Sequence, residues 1–278
     1  MRLATLRIGG TTQAARIEGP EAVLLEQFPD VGAVFRADAL AEAAVFNGPR
    51  LSLDEVRFAP VVPQPGKVLC IGMNHRAHIK EMGRSLPSHP TAFAKFVESL
   101  VGAGEPILLP PESGQVDWEG EIAVVVGRPL RRADLMEAVA GIGGYTIMCD
   151  ISMRDWQYRT SQWLQGKTWE RSTPLGPWAV TPEELPADPE LVTRVNSREM
   201  QRGRMSELML SPAMLLSYFS TFVTLQPGDI VATGTPGGVG YAMNPPTYLR
   251  GGDTIEIEVS GIGILRSWVE MEAVSRHD

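Results

Sequence analysis

The sequence predicts an α+β fold in which β-strands predominate, with a small N-terminal α/β domain ahead of a larger domain built on mixed sheets. The 278 residues allow one large domain, or one large and one small. Short strand-like segments recur without regular helices of about 10–15 residues between them, which disfavours a doubly wound parallel sheet. Residues 59–66 contain three prolines and a glycine, which cannot continue a helix or a central strand. We therefore predict domains at residues 1–62 and 63–278.

The N-terminal region predicts a hairpin followed by a short helix. Residues 3–8 have the alternation of a strand, Gly9 and Gly10 mark a turn, and residues 12–17 can return as the second strand. A short helix is predicted over residues 38–46.

From residue 67 onwards most of the periodic segments are strands. The predicted strands cover residues 67–72, 107–109, 119–126, 144–149, 176–180, 191–195, 229–233 and 254–259. The best helix spans residues 211–224, where Ser211 can act as the N-cap and Pro212 suits the first helical position. Met214, Tyr218 and Phe222 recur at i, i+4 spacing, and we expect this stripe to face the core.

The composition excludes several classes of protein. Hydrophobic residues make up 44% and charged residues 21%, which are globular values, and the net charge is −8 without a basic run. An acidic chain of this kind lacks the positive surface that binds nucleic acid or anionic membranes. No segment approaches the roughly 18 apolar residues of a spanning helix.

The N-terminus and the cysteines favour a cytoplasmic protein. The first ten residues lack the apolar run of a signal peptide. Cys70 and Cys149 both lie in apolar segments, where buried, reduced thiols are expected.

Three carboxylates predict a metal site. In a strand Glu119 and Glu121 lie on one face, about 7 Å apart. Asp150 ends an apolar strand, where a charge is costly unless it is paired or binds a cation. Oxygen-only ligands favour Mg²⁺, Mn²⁺ or Ca²⁺ over Zn²⁺. An isolated Glu-x-Glu is more often a solvated strand face, so that alternative stays open here.

A histidine and a glutamate predict a general base. Residues 72–83 begin at a strand end and become helical, which places His78 and Glu81 on one face at i, i+3. A carboxylate beside an imidazole orients it and raises its basicity. The alternative is an ordinary surface pair.

Anion-binding groups follow further along the chain. Lys167 can serve as the cation for an anionic substrate, or be a surface lysine. Arg154 and Gln157, one helical turn apart, can donate to a carboxylate, or only to each other. The glycines of residues 233–240 allow backbone N–H groups to approach an anion, although the segment is not a P-loop.

Taken together, these segments resemble the fumarylacetoacetate hydrolase family from about residue 67 to residue 272. The resemblance rests on four ordered blocks: GMNHRAHIKEMG (72–83), VDWEGEIAVV (116–125), GYTIMCDISMRD (144–155) and PGDIVATGTPGGVG (227–240).

The resemblance implies a mixed β-sandwich roll, a homodimer and a metal-dependent active site. The implied Mg²⁺ or Mn²⁺ ligands are Glu119, Glu121 and Asp150. The implied contacts to a small 2-oxo acid substrate are Lys167, Arg154, Gln157 and Thr235. His78 and Glu81 match the dyad that sits on a mobile lid in hydrolytic members of the family.

The function predicted from the sequence is hydrolysis of a C–C bond in an acylpyruvate or a related 2,4-dioxo acid, giving pyruvate and a carboxylic acid. Decarboxylation of an oxaloacetate-like acid and isomerisation of a 2-hydroxyhepta-2,4-diene-1,7-dioate-type acid are the alternatives. A metal-stabilised binding domain without catalysis is a further alternative, but it would not need His78, Glu81 and Lys167.

Overall fold

The computed structural model describes residues 1–83, 85 and 89–273. The N-terminal elements are β1 (Arg2–Ile8), β2 (Thr11–Glu18), β3 (Glu21–Leu25), α1 (Val31–Arg36), α2 (Leu40–Val45), β4 (Arg50–Ser52) and β5 (Arg57–Phe58). The predicted β1–β2 hairpin is confirmed, and both of its turn glycines have a positive φ, which only glycine adopts freely. The helix expected at residues 38–46 is shorter, because it starts at Leu40 and ends at Val45.

The remaining elements are mostly strands, as predicted. The strands are β6 (Val68–Gly72), β7 (Thr91–Lys95), β8 (Leu100–Val101), β9 (Ile107–Leu109), β10 (Val116–Asp117), β11 (Gly120–Val126), β12 (Ile142–Cys149), β13 (Ser152–Met153), β14 (Thr173–Val180), β15 (Glu190–Val195), β16 (Arg198–Arg204), β17 (Ile230–Ala232), β18 (Thr254–Val259) and β19 (Gly263–Met271). The helices are α3 (Arg76–Glu81), α4 (Leu135–Ala140), α5 (Arg154–Gln157), α6 (Leu164–Lys167) and α7 (Pro212–Phe222).

Two large sheets organise these strands. The larger has twelve strands, in the order β4-β3-β2-β1-β14-β12-β11-β17-β6-β7, with β5 paired to β1 and β8 paired to β14. The smaller has the order β16-β15-β18-β19-β9. Because β1 pairs with β14, the N-terminal strands continue the large sheet across the proline-rich segment. The domain boundary near residue 62 stays a prediction.

The central strands β11 and β12 are buried on both faces. Val124 and Ile147 point into a core shared with the five-stranded sheet, whereas Val125 and Met148 point into a core shared with α1. Strands covered on both faces read as continuous apolar runs, which is why residues 122–126 show no polar alternation. This burial makes the strand ends beside Glu119 and Asp150 rigid supports for a site.

Helix α7 presents a different face to the core from the one expected. The prediction that this stripe faces the core is wrong for Met214, which is 42% exposed, and for Phe222, which is 59% exposed, whereas Tyr218 is partly buried against the core. The buried side chains of the helix are Pro212, Ala213, Leu215, Leu216, Phe219 and Ser220. The start of the helix is confirmed, since the Ser211 hydroxyl accepts a hydrogen bond from the Met214 N–H.

We expect two phenylalanines of α7 to differ strongly in their contribution to stability. Phe219→Ala leaves a cavity in the core and should lower the free energy of unfolding by about 3–5 kcal/mol. Phe222→Ala removes an exposed ring and should cost less than about 1 kcal/mol. Urea unfolding of the two variants measures the difference, and equal losses would contradict the observed orientation.

Both cysteines are free and fully buried. Burial raises the pKa of Cys149 to about 12 and that of Cys70 well above its usual range. Because the thiolate is the reactive form, we expect neither thiol to react with a disulfide reagent in the native protein and both to react after denaturation. Rapid labelling of the native chain would contradict this.

No helix in the described part of the chain is long and apolar enough to cross a membrane.

Candidate metal centre and active-site pocket

The pairing of β11 with β12 brings the three predicted metal ligands together. Gly120 pairs with Cys149 in the antiparallel register, and the Asp150 N–H donates to the Glu119 carbonyl at 2.8 Å. Glu119, Glu121 and Asp150 are all buried, and each offers one oxygen within 4.8 Å of the others. The arrangement is the close group of oxygen donors that a hard divalent cation requires.

Nitrogen donors surround this group of carboxylates. Five of the six carboxylate oxygens lie within 2.8 Å of a protein nitrogen. The pairs are Glu119 Oε1 with Arg154 Nη1, Glu119 Oε2 with Lys167 Nζ, Asp150 Oδ1 with Lys95 Nζ, Asp150 Oδ2 with Lys167 Nζ, and Glu121 Oε2 with Gly234 N. Within the described residues, Glu121 Oε1 has no such donor. Glu121 is therefore the least compensated of the three.

The pKa shifts follow from these contacts. Burial, then repulsion from Asp150 and Glu119, raises the pKa of Glu121 well above its usual range. Burial also opposes the charge of Glu119, but attraction from Lys167 and Arg154 outweighs it and lowers the pKa of that carboxyl. Glu121 is therefore a buried carboxylate that contacts no protein cation among the described residues, whereas Glu119 and Asp150 each contact at least one. A bound metal ion would supply the positive charge that Glu121 lacks.

Lys167 is held as an ammonium ion. Burial works against its charge, yet Asp150 and Glu119 raise its pKa above the usual range. Two of its three N–H groups donate to these carboxylates, which leaves one for another acceptor. Lys167 can thus neutralise and hold an anion, but it cannot act as a base.

Arg154 joins the cluster to a fourth buried carboxylate, Asp117. Arg154 Nε donates to Asp117 Oδ2 at 2.8 Å, and Arg154 Nη1 donates to Gln157 Oε1 at 2.9 Å. Asp117 also accepts from the backbone N–H groups of Gly240 and Tyr241, so it anchors the glycine-rich loop. Asp117, Glu119, Glu121 and Asp150 carry four formal negative charges, and the cations Lys95, Arg154 and Lys167 carry three positive charges. The cluster therefore has a formal net charge of −1.

Helix α3 places the predicted dyad at the pocket. His78 is buried, and its Nδ1 lies 3.2 Å from Glu81 Oε2. A carboxylate can only accept, so Nδ1 carries the proton and Nε2 is free to act as a base. The other oxygen of Glu81 accepts from the Gly238 N–H at 2.8 Å, which fixes the helix to the glycine-rich loop.

One small cavity connects His78 with Glu119 and Glu121, whereas Glu81 and Asp150 do not line it. His78, Glu119, Glu121, Arg154, Gln157, Lys167 and Thr235 line it, together with Met73, Met82, Phe93, Tyr158 and Trp163. Its volume is about 30 Å³. Thr235 is already engaged, because its hydroxyl donates to the Gly120 carbonyl and accepts from Gln201 Nε2.

Two charged residues of the site were not assigned from the sequence. Lys95, at the end of β7, reaches Asp150, and Asp117 holds Arg154. Asp117 had a signal, since it stands beside Glu119 in a short, otherwise apolar segment. Lys95 had none, because its contact with Asp150 depends on where β7 lies in the sheet.

Comparisons with known proteins show the family to which the chain belongs. The model of the family described as fumarylacetoacetate (FAA) hydrolase C-terminal matches residues 67–270. A human relative, the mitochondrial oxaloacetate tautomerase FAHD2A, is 40% identical over 222 residues, which cover 78% of this chain and 70% of that protein.

Solved structures match nearly the whole chain. The fumarylacetoacetate hydrolase from psychrophilic Exiguobacterium antarcticum is 31% identical, with a TM-score of 0.88 over 98% of this chain and 100% of that chain. The 2-hydroxyhepta-2,4-diene-1,7-dioate isomerase from Mycobacterium marinum is 33% identical, with a TM-score of 0.83 over 99% of this chain and 100% of that chain. The resemblance found in the sequence is confirmed by these matches.

Proposed function

Because the chain belongs to the fumarylacetoacetate hydrolase family, we propose that it is a divalent-metal-dependent enzyme that interconverts the keto and enol forms of a short 2-oxo dicarboxylic acid such as oxaloacetate. The observation that carries the proposal is the free Nε2 of His78, oriented through Glu81, in the same small cavity as Glu119, Glu121 and Lys167. The 40% sequence identity with an oxaloacetate tautomerase supports the choice of substrate.

Glu119, Glu121 and Asp150 would hold Mg²⁺ or Mn²⁺, since an all-oxygen set suits these ions. When bound, the ion would supply Lewis-acid polarisation of the substrate's 2-oxo group. The residues fit this role because the formal charge of −1 around them favours a cation.

The chain's own residues account for binding and proton transfer. The spare N–H of Lys167 donates to the substrate carboxylate, and Arg154 adds positive charge beside it. His78 Nε2 takes a proton from the carbon next to the 2-oxo group, so that a C–H bond breaks and the electron pair moves towards the oxygen. Glu81 stabilises the imidazolium, which then returns the proton to that oxygen.

Hydrolysis of a C–C bond in an acylpyruvate is the second candidate. The same dyad could take a proton from a water molecule, and a solved structure 31% identical to the chain is a fumarylacetoacetate hydrolase. This reaction requires a water molecule beside the substrate, which tautomerisation does not.

The test is one assay on two substrates. We expect the protein with Mg²⁺ or Mn²⁺ to accelerate the loss of enol absorbance of oxaloacetate, and chelation to abolish this. NMR of an acylpyruvate in the same buffer reports release of pyruvate and a carboxylic acid. Faster cleavage than tautomerisation would favour the hydrolase, and metal-independent or absent activity on both would overturn the proposal.

A further inference from the structure

We propose that Lys95 is a positioning residue that restricts Asp150 to one ligand oxygen and so keeps a coordination position open for the substrate. The inference rests on the proposed metal-dependent function and adds a residue to it. Lys95 lines no part of the cavity among its described walls, so it acts through Asp150 and does not touch the substrate.

Lys95 is placed to fix the orientation of the Asp150 carboxylate. Its side chain is fully buried at the end of β7, and lysines are seldom buried unless they are paired. The ammonium lies 2.7 Å from Asp150 Oδ1 and 3.2 Å from the Ile151 carbonyl oxygen. Contacts to both the side chain and the following backbone carbonyl hold the carboxylate plane against rotation.

The two oxygens of Asp150 therefore have different surroundings. Oδ1 is occupied by Lys95, which contacts no other carboxylate of the cluster in the described structure. Oδ2 is held by Lys167, which also contacts Glu119, so Oδ2 is the oxygen that faces the other ligands. Carboxylates bind cations through one oxygen or two, and binding through two requires both oxygens to face the ion. Lys95 prevents the second mode.

This restriction matters because a 2-oxo acid needs two adjacent coordination positions, one for its carboxylate and one for its 2-oxo oxygen. An ion that takes about six oxygens keeps about three positions when each of the three residues supplies one. A chelating Asp150 would take one of these positions from the substrate or from water.

The test compares Lys95→Met with Lys67→Met, a matched control. Lys67 Nζ contacts buried Asp229 at 2.7 Å, so the control also removes a lysine from a buried aspartate, but outside the cavity. Mn²⁺ is titrated by electron paramagnetic resonance, water-proton relaxation counts the waters on Mn²⁺, and oxalate serves as a two-oxygen ligand for the loaded protein.

For Lys95→Met we expect Mn²⁺ binding to persist, the number of bound waters to fall by about one, and oxalate affinity to fall about tenfold. Lys67→Met should match the wild type in the water count and in oxalate affinity. If Lys95→Met does not fold, Lys95→Gln, which is one atom shorter, is measured with the same expectations.

Three results would overturn the proposal. An unchanged water count and oxalate affinity in a folded Lys95 variant would make the lysine a purely structural counter-ion. Loss of all Mn²⁺ binding in a folded variant would mean that Lys95 secures the ligand set itself and not the mode of binding. Failure of the wild type to bind Mn²⁺ would reject the metal-dependent function together with this inference, and that result is distinguishable from the other two.

Discussion

His78→Ala is expected to lower turnover by about 10²–10⁴-fold while leaving Mn²⁺ binding intact. The variant removes the only described base in the cavity with a free nitrogen, but none of the three carboxylates. Steady-state kinetics on enol-oxaloacetate and a parallel Mn²⁺ titration measure the two effects separately.

The neighbouring positions provide controls for this prediction. His89→Ala removes an exposed histidine without the Glu81 contact, and it should retain the activity of the wild type. Glu81→Gln keeps an acceptor for the Gly238 N–H but loses the charge that stabilises the imidazolium. Its activity should therefore lie between that of His89→Ala and that of His78→Ala. Full activity of His78→Ala would remove the dyad from the mechanism.

Glu121→Gln and Asp150→Asn should both abolish Mn²⁺ binding and activity, but they should change stability differently. Burial and repulsion disfavour the charge of Glu121, so its neutral replacement should cost no more than about 1 kcal/mol in the absence of metal. Asp150 offsets Lys95 and Lys167, and removing its charge breaks two buried ion pairs. We expect that variant to lose about 3–5 kcal/mol.

Urea unfolding with a chelator present, together with calorimetric Mn²⁺ titration, distinguishes the two variants. An equal loss of unfolding free energy in the two variants would contradict the difference between an uncompensated charge at Glu121 and a paired charge at Asp150. Retention of full Mn²⁺ affinity by either variant would remove that residue from the ligand set.

The sequence predicted the local features of the site because they depend on neighbouring residues. Glu119 lies immediately before β11 and Glu121 is its second residue, and His78 and Glu81 share one helical turn, so their spacing follows from local backbone geometry. The blocks of the family resemblance then connected these segments with one another.

Features that depend on distant pairing could not be predicted in the same way. Lys95 reaches Asp150 only because β6 lies between β7 and β17, and β17 lies next to β11. The pairing of β1 with β14 likewise crosses a proline-rich segment that indicates a boundary in the sequence. Neither contact has a local periodicity that could reveal it.

The error in the predicted buried face of α7 has a different cause. Apolar residues occur nearly all round this helix, so the stripe of Met214, Tyr218 and Phe222 competes with one that contains Leu215 and Phe219. Periodicity separates a buried face from an exposed one only when the second face is polar. The packing of α4 against α7 decides the orientation, and that contact is not visible in the sequence of either helix.

The nitrogen donors around the three carboxylates also bear on the order in which the protein matures. In a zinc finger the metal supplies the folding energy, and the chain is unfolded without it. Here the protein's own cations and backbone already satisfy five of the six ligand oxygens, so the chain can fold first and acquire its ion afterwards. Supply of the ion would then set how much of the folded protein is active, without changing how much folded protein there is.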